Sequence, residues 1–316
     1  MREAYVNRIT SALGEEARDV EQTAAAKKIT SSCEVFRQAG FARHHVCRQS
    51  TTAYDLAHRA VTQLGSDIDG TGAIIYSTCL PMNANLGAEE DFERDGDVKH
   101  LMDFPASHMQ ADFGLDGACV IGLTQQACTS LLGSIRLARS LLVAEEDLQK
   151  VLCVTADRFP NGALYEQAYN LISDGAAACV VSDRREGFRV VATHAITNGA
   201  LAQASDDETV GTYFNYMHKI ITELLAKAKL RADEIDWVVP QNTNVSAWKI
   251  LARLLQFNAD RVFLGSIAEI GHIISSDNLV NLQRLDATGV IRSGERLLLV
   301  MAGFGLNWQA LILEKV

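Results

Sequence analysis

Proline and long apolar runs are both scarce in this chain. Four prolines among 316 residues leave no room for a proline-rich linker, and no low-complexity segment appears. Nothing approaches the run of about 18 apolar residues that a membrane span requires. The first residues include acidic side chains and lack the apolar core of a signal peptide. We therefore expect a cytoplasmic protein with no membrane partner.

An excess of basic side chains is also missing. The 29 lysines and arginines are outnumbered by 39 acidic residues, which gives a formal net charge of −10. General nucleic-acid binding needs a basic face, so no nucleic-acid partner is expected.

Motifs for metals, disulfides and nucleotides are absent as well. The seven cysteines are scattered and contain no CxxC pair, which argues against a structural zinc site and a disulfide framework. No histidine and carboxylate cluster has ligand spacing, and no GxGxxG follows a strand-like run. No metal and no permanently bound cofactor is therefore expected.

Short β-branched runs alternate with segments of helical periodicity, which predicts an α/β fold. The clearest strand-like runs are GAIIYST, KVLCVTA, AAACVVS, FRVVATHAI, DWVVPQ, RVFLG, RLLLVMA and QALILEK. The predicted helices cover Ala53 to Leu64, Thr129 to Val143, Thr212 to Ala228, Val245 to Phe257 and Ser276 to Thr288.

The two parts of the chain repeat the same order of elements. The segment that begins FGLDGACVIGLTQQACTSLL passes through strand, loop, helix and strand, and the segment that begins RVFLGSIAEIGHIISSDNL does the same. Cys128 and Ser275 stand at about the same distance before KVLCVTA and RLLLVMA. We therefore predict two related halves, residues 1–185 and 186–316, whose equivalent strand-to-helix loops meet. The loop of Cys128 then faces the loop of His272.

Cys128 stands at the mouth of a predicted helix, where unpaired backbone N–H groups and the helix dipole favour thiolate over thiol. Thr129 and Ser130 are small enough to leave the approach open. These features favour a nucleophile, and a buried core cysteine is the alternative.

His272 follows a glycine and precedes a helix, so it can serve as a base or a hydrogen-bond donor to Cys128. A loop histidine that faces solvent or caps the next helix is the alternative. In the stretch MAGFGLNW, two glycines around Phe304 can present backbone N–H groups. With the Cys128 N–H, the backbone of Gly303 and Phe304 is predicted to form an oxyanion hole.

As a set, these motifs resemble the thiolase superfamily and, within it, the ketoacyl synthase III condensing enzymes (3-oxoacyl-ACP synthase III-like). The resemblance rests on FRQAGFARHHVCRQSTTAYDLAHRAV, ACTSLLGSIRLA, ISDGAAACVVS, DWVVPQNTN, GHIISSDNL and LLLVMAGFGLNW. It implies a duplicated five-layered α-β-α-β-α fold, usually as a homodimer. It also implies an acyl group passed to Cys128 from coenzyme A or the phosphopantetheine of an acyl-carrier protein, as a substrate thioester.

The second half departs from the pattern that the resemblance implies. Members usually have histidine after the proline of VVP and asparagine after the glycine of the later loop. This sequence has Gln241 after Pro240 and His272 after Gly271, so that the histidine and the amide are exchanged. Three side chains are candidates for a catalytic or orienting role from the other side: Gln241, Asn242 and Asn244.

The leading hypothesis is a ketosynthase-like acyltransferase that is acylated on Cys128 and condenses the acyl group with a malonyl-type thioester, in secondary metabolism. One alternative passes the acyl group to a hydroxyl or an amine. The other is a non-catalytic partner subunit of a heteromeric synthase, in which case the dimer is a heterodimer. The segment from Cys79 to Leu115 is expected, from the resemblance, to reach the dimer interface and the acyl pocket.

Overall fold

A computed structural model describes residues 2–316. Nine strands are hydrogen-bonded in one continuous order. Five come from the first part of the chain: β1 (Tyr5–Leu13), β4 (Ala73–Ser77), β5 (Cys119–Leu123), β6 (Lys150–Asp157) and β9 (Gly175–Ser182). Four come from the second: β10 (Phe188–Thr197), β11 (Trp237–Pro240), β12 (Arg296–Gly303) and β13 (Asn307–Lys315). Two small ribbons pair β2 (Glu16–Asp19) with β3 (Arg43–Val46) and β7 (Glu166–Gln167) with β8 (Asn170–Leu171).

The strand order, β11-β12-β13-β10-β1-β9-β6-β4-β5, consists of two similar runs joined at the centre. In each run a parallel pair is followed by antiparallel neighbours: β4 with β6, β9 and β1, and β11 with β12, β13 and β10. The join consists of only two residue pairs, Tyr5 with Arg189 and Val6 with Phe188. In the first run, β5 pairs in parallel with β4 at the outer edge. At the equivalent edge of the second run, a single parallel bridge joins Val262 to Val238 of β11.

Helices lie outside and between the two runs. The outer helices are α3 (Ala53–Thr62) and α5 (Pro105–Asp112) on one side and α7 (Asp206–Ala228) and α8 (Val245–Leu254) on the other. The helices α6 (Ser130–Ala144) and α10 (Asp277–Ala287) fill the layer between the runs. The remaining helices are short: α1 (Val20–Ala25), α2 (Cys33–Ala39), α4 (Glu89–Asp95) and α9 (Ile267–Ile270).

Apolar packing explains why the strands read as unbroken hydrophobic runs. Along β9, Ala177, Cys179 and Val181 pack toward α6, and the intervening Ala176, Ala178 and Val180 pack toward α3. A strand covered by helices on both faces needs apolar residues at every position. The α/β fold predicted from the sequence and the duplicated five-layered arrangement that the resemblance implies are confirmed.

Some predicted boundaries differ from the structure. RVFLG contributes the single Val262 bridge rather than a strand, and α7 begins six residues before Thr212. The earlier start has a local cause, because Ser205 and Glu208 form a capping box. The predicted division at residues 185 and 186 falls in the turn between β9 and β10, and it stays a prediction.

The segment Ala127–Ala144 is long and apolar enough for a membrane span by length and composition alone. More than half of it is buried inside the protein, where α6 packs between the two runs of strands. This segment is therefore a core helix. Because α6 packs between the two runs of strands, its N-terminus lies where the two halves meet.

Candidate active site

Cys128 lies in a short 3₁₀ turn, Ala127–Thr129, that leads into α6. Ala127 has a φ of 47°, a left-handed conformation that costs energy for a residue with a side chain. The bend places the Cys128 thiol directly before the first turn of α6. Cys128 itself is only 3% exposed, so the thiol is reached only through a pocket.

The second half repeats this bend. Ile274 has a φ of 48° and opens the 3₁₀ turn Ile274–Ser276, which leads into α10. Ser275 occupies the place that Cys128 has in the first half. Its hydroxyl oxygen lies 2.9 Å from the Asp157 carboxylate and 3.3 Å from the Ala127 carbonyl, and its one proton can be donated to either, so Ser275 links the two bends directly.

His272 lies just before the second bend and is 3% exposed. Its Nδ1 is 2.5 Å from the Asp277 carboxylate, which leaves Nε2 for the Cys128 thiol. Burial alone would lower the pKa of His272, but the charge and hydrogen bond of Asp277, followed by those of Cys128, raise it to about 10. The imidazole is therefore held as a charged donor toward Cys128.

Asp277, the first residue of α10, was missed by the sequence reasoning. Its buried carboxylate accepts the backbone N–H groups of Asn242 and Ile273, both at 2.6 Å, in addition to His272 Nδ1. An acid five residues after a histidine, at the start of a helix, was the available signal. Sequence alone could not reveal that the two side chains turn toward each other.

Cys79, just after β4, was also missed. Its Sγ lies 3.8 Å from Cys128 Sγ. The hydrogen bond from Cys79 lowers the pKa of Cys128 most, burial opposes it, and His272 lowers it further, to about 6. The same hydrogen bond, together with burial, raises the pKa of Cys79 well above its ordinary value, so Cys79 stays a thiol and donates.

The three amide candidates have different positions. The Gln241 Oε1 accepts the Ala302 N–H at 2.6 Å, which leaves its amide nitrogen for the pocket that Cys128 and His272 line. Within residues 2–316 that amide nitrogen has no hydrogen-bond partner. Asn244 lines the same pocket and caps α8 through the Ser246 N–H. Asn242 lies outside the pocket lining and donates to the Gly271 carbonyl at 2.8 Å, so it supports the loop of His272.

Gly303 ends β12 directly against the nucleophile. A Cβ added to Gly303 would lie 2.9 Å from the Cys128 nitrogen and 3.2 Å from the Gln126 carbonyl oxygen. Only glycine allows this approach. Gly303 and Phe304 both line the pocket beside Cys128, so the backbone predicted as an oxyanion hole lies next to the thiol.

The pocket has a volume of about 290 Å³ and a mostly apolar wall. Beyond the polar residues near Cys128, its wall consists mainly of large side chains: Tyr169, Val210, Tyr213, Phe214, Ile250, Leu306 and Trp308. A thiolate, a charged imidazole and a free amide thus face one apolar cleft. Such an arrangement can form an acyl-thioester and stabilise an oxyanion or an enolate.

Comparisons with known proteins identify the family that the chain resembles. Residues 124–199 match the family 3-oxoacyl-[acyl-carrier-protein] synthase III, and residues 225–315 match the C-terminal part of the same family. The beta-ketoacyl-[acyl-carrier-protein] synthase III of Chlamydia caviae is 27% identical over 289 residues, which cover 82% of this chain and 80% of that relative.

Solved structures show the same fold. The synthase III of Thermus thermophilus has a TM-score of 0.83 at 22% identity and covers 99% of both chains. The structure of the acyltransferase ChlB3 has a TM-score of 0.80 at 17% identity, and the match covers 99% of this chain and 98% of that one. On the family matches and the shared fold, the chain belongs to the thiolase superfamily as a member of the 3-oxoacyl-ACP synthase III family of condensing enzymes.

Proposed function

We propose that the protein takes an acyl group onto Cys128 from coenzyme A or an acyl-carrier protein and condenses it with a malonyl-type thioester. The main support for this proposal is the exchanged pair of hydrogen-bond donors, His272 and the Gln241 amide. His272 and the free Gln241 amide flank the pocket beside Cys128, although each comes from the loop that usually supplies the other. The relative from Chlamydia caviae is named for the same class of reaction.

The acylation step depends on the ion pair between the Cys128 thiolate and the His272 imidazolium. The Cys128 thiolate attacks the thioester carbonyl, whose oxygen becomes negative beside the Cys128 N–H and the Gly303 backbone. Collapse of this intermediate breaks the bond to the carrier sulfur and leaves the acyl group on Cys128. The departing carrier thiolate takes a proton from His272, whose positive charge is no longer balanced by the Cys128 thiolate.

In the condensation step the two donors act together. Before this step His272, whose pKa Asp277 raises, regains a proton at Nε2 from solvent. The carbonyl oxygen of the malonyl thioester then accepts hydrogen bonds from His272 Nε2 and the Gln241 amide, and loss of carbon dioxide leaves an enolate stabilised by both. The enolate carbon attacks the acyl carbonyl, forms the carbon–carbon bond and releases Cys128 as a thiolate. No metal or permanent cofactor takes part in this scheme.

The proposal predicts that Gln241→Leu separates the two steps. Cys128 should still be acylated at nearly the native rate, because Gln241 plays no part in the thiolate–imidazolium pair. Carbon dioxide release from malonyl-CoA should fall by about 10²- to 10³-fold, the usual effect of removing one oxyanion donor. Intact mass after acyl-CoA treatment and release of labelled carbon dioxide measure the two steps separately.

The matched control is Asn244→Ser, which removes an amide from the same pocket and keeps a side chain able to cap α8. It should leave both steps near native rates. An equal loss of acylation and decarboxylation in Gln241→Leu would contradict the donor role of Gln241.

A second candidate function is acyl transfer from Cys128 to a hydroxyl or an amine. The observation that favours it is the His272–Asp277 pair, because a carboxylate-oriented histidine can act as a general base toward a hydroxyl acceptor once the thiolate has been acylated. The absence of carbon dioxide release, with acyl-Cys128 consumed by an alcohol or amine, would select this function over condensation.

The proposal includes a homodimer. Strand β5 is an exposed sheet edge, and unpaired edges need cover. Strand β5 and residues 81–104 carry apolar side chains that are 41% to 57% exposed: Met82, Val98, Leu101, Met102, Phe104 and Val120. Light scattering should give twice the chain mass, and a monomer would contradict the homodimer. Co-purification with a second, different chain would favour the heterodimer.

The setting of the reaction is part of the same proposal. The exchanged donor pair supports a role outside primary fatty-acid synthesis, in secondary metabolism. Seven free cysteines suit a reducing, cytoplasmic compartment. A non-catalytic partner subunit has no need of a cysteine with a lowered pKa, such as Cys128. That alternative would be favoured if no coenzyme A or carrier-protein thioester acylated Cys128.

A further inference from the structure

Acyl transfer does not explain why a second thiol, that of Cys79, lies beside Cys128. Cys79 Sγ and Cys128 Sγ are 3.8 Å apart, although Cys79 follows β4 and Cys128 lies in the turn before α6. Asp157 fixes Cys79 by accepting its backbone N–H at 2.7 Å and the Thr78 hydroxyl at 2.6 Å. A donor beside the Cys128 sulfur lowers its pKa, and a serine hydroxyl would serve that need as well. A second sulfur atom is required only for sulfur chemistry.

Cys128 also has the surroundings of an oxidation-sensitive thiol. It lines an open pocket, and Cys79 and His272 favour its thiolate form. Thiolates react with hydroperoxides, and the sulfenic acid that results condenses with a neighbouring thiol when one lies within reach. Without such a neighbour, further peroxide carries the sulfur to sulfinic acid, which thiol reductants do not restore.

We propose that Cys79 and Cys128 form a disulfide in response to hydroperoxides, with Cys79 as the resolving thiol. In the first step the Cys128 thiolate attacks the peroxide oxygen, the O–O bond breaks, and a proton from His272 completes the departing water or alcohol. In the second step the Cys79 sulfur displaces hydroxide from the Cys128 sulfenic acid, and the proton of the Cys79 thiol converts that hydroxide to water. The two thiols together lose two hydrogen atoms and the hydroperoxide is reduced.

The first step prepares the second. The hydrogen bond to Cys128 and the negative charge on that sulfur are two of the causes that raise the pKa of Cys79 in the reduced protein. Oxidation to a neutral sulfenic acid removes the charge and weakens the bond, so Cys79 becomes easier to deprotonate when its sulfur is needed. The disulfide then occupies the nucleophile, stops acylation and shields Cys128 from irreversible oxidation.

A second pair of neighbouring cysteines, Cys153 and Cys179, provides a comparison for the Cys79–Cys128 pair. Cys153 on β6 and Cys179 on β9 are directly opposite each other and are both fully buried. Burial, followed by the contact with Cys179, raises the pKa of Cys153 well above its ordinary value. Proximity alone would oxidise this pair as well, whereas thiolate character and access to the pocket distinguish the Cys79–Cys128 pair.

The test exposes the native protein to a small excess of hydrogen peroxide, blocks the remaining thiols and maps the peptides without reduction. We expect a peptide that joins Cys79 to Cys128, with the loss of two hydrogen atoms from the intact chain, and alkylated Cys153 and Cys179. Dithiothreitol should restore free Cys128. These readouts are masses, so they do not depend on whether the protein condenses or transfers acyl groups.

The variant Cys79→Ser keeps a donor beside Cys128 and removes the resolving sulfur. Its Cys128 should gain two oxygen atoms at the same peroxide dose, and dithiothreitol should not reverse the change. Cys33→Ser, which removes a half-buried cysteine outside the pocket, is the matched control and should behave as the native chain. Sulfinic acid on Cys128 of the native protein, or disulfides that join other cysteines in place of this pair, would overturn the proposal, even if Cys79→Ser fails to fold.

Discussion

Replacing Asp277 with asparagine is expected to slow acylation of Cys128 by about 10²- to 10⁴-fold, as with a histidine that loses its orienting carboxylate. Asp277 accepts three N–H groups, from Asn242, Ile273 and His272. An asparagine offers one oxygen and one N–H₂ group, so at least one of these donors would face another donor. The pKa of His272 should fall, and the pKa of Cys128 should rise because the thiolate loses its charged partner.

The pH dependence of thiol alkylation measures this change directly. The native protein should react with iodoacetamide at a rate that rises with pH around the Cys128 pKa of about 6 and is already flat near neutrality. In Asp277→Asn the rate at neutral pH should be lower, and it should continue to rise toward the ordinary cysteine pKa of about 8.5. The direction follows because a raised pKa leaves less thiolate at any pH below it.

Asp174→Asn is the matched control for a general loss of stability. Asp174 is also a buried acid that accepts three bonds, from Cys47 N, Phe159 N and the Tyr165 hydroxyl. Its variant should lower the free energy of unfolding and leave the Cys128 pH profile in place. A native profile in Asp277→Asn would show that Asp277 does not hold the charge of His272.

Gly303→Ala is expected to have the second large effect, a loss of about 10²- to 10³-fold in acylation. The new Cβ would lie 2.9 Å from the Cys128 nitrogen, closer than real Cβ contacts, and its close neighbours include backbone atoms that cannot rotate away. Strand β12 and the turn of Cys128 must separate, which displaces the N–H groups that face the carbonyl oxygen. Such overpacking should also cost about 1–3 kcal/mol of stability.

Acylation rates measured by intact mass, together with the denaturation midpoint, separate these two effects. The control is Gly117→Ala, because a Cβ at Gly117 meets nothing within 4 Å. It should change neither quantity appreciably. Native acylation in Gly303→Ala would mean that the backbone at this strand end is not part of the oxyanion hole.

The fold was predictable because its strands are buried on both faces. Unbroken runs such as VLCVTA and LLLVMA are apolar at every position for that reason, and the repeated spacing from Cys128 and Ser275 to these runs revealed the duplication. Strand β1 was not predicted because polar residues interrupt YVNRITSAL. Its central position depends on pairing with β9 and β10, which are distant from β1 in the sequence. Pairing between distant strands leaves little trace in a local pattern.

The candidate site was predictable only in part. Cys128 carries a local signal, its place at a helix mouth, and His272 carries another, its place in the equivalent loop. Cys79 is 49 residues from Cys128 along the chain, and nothing near Cys79 in the sequence marks the contact. Asp277 is close to His272 in sequence, but its role depends on a turn with Ile274 in a left-handed conformation. Contacts made by such bends follow from packing rather than from residue type.

Acylation of Cys128 can be measured by intact mass after incubation with a panel of acyl-CoA and acyl-carrier-protein thioesters. We expect a gain of one acyl group in the native chain and none in Cys128→Ala, and the best substrate would identify the preferred acyl chain. No gain with any thioester, or the same gain in Cys128→Ala, would contradict the proposed acylation of Cys128.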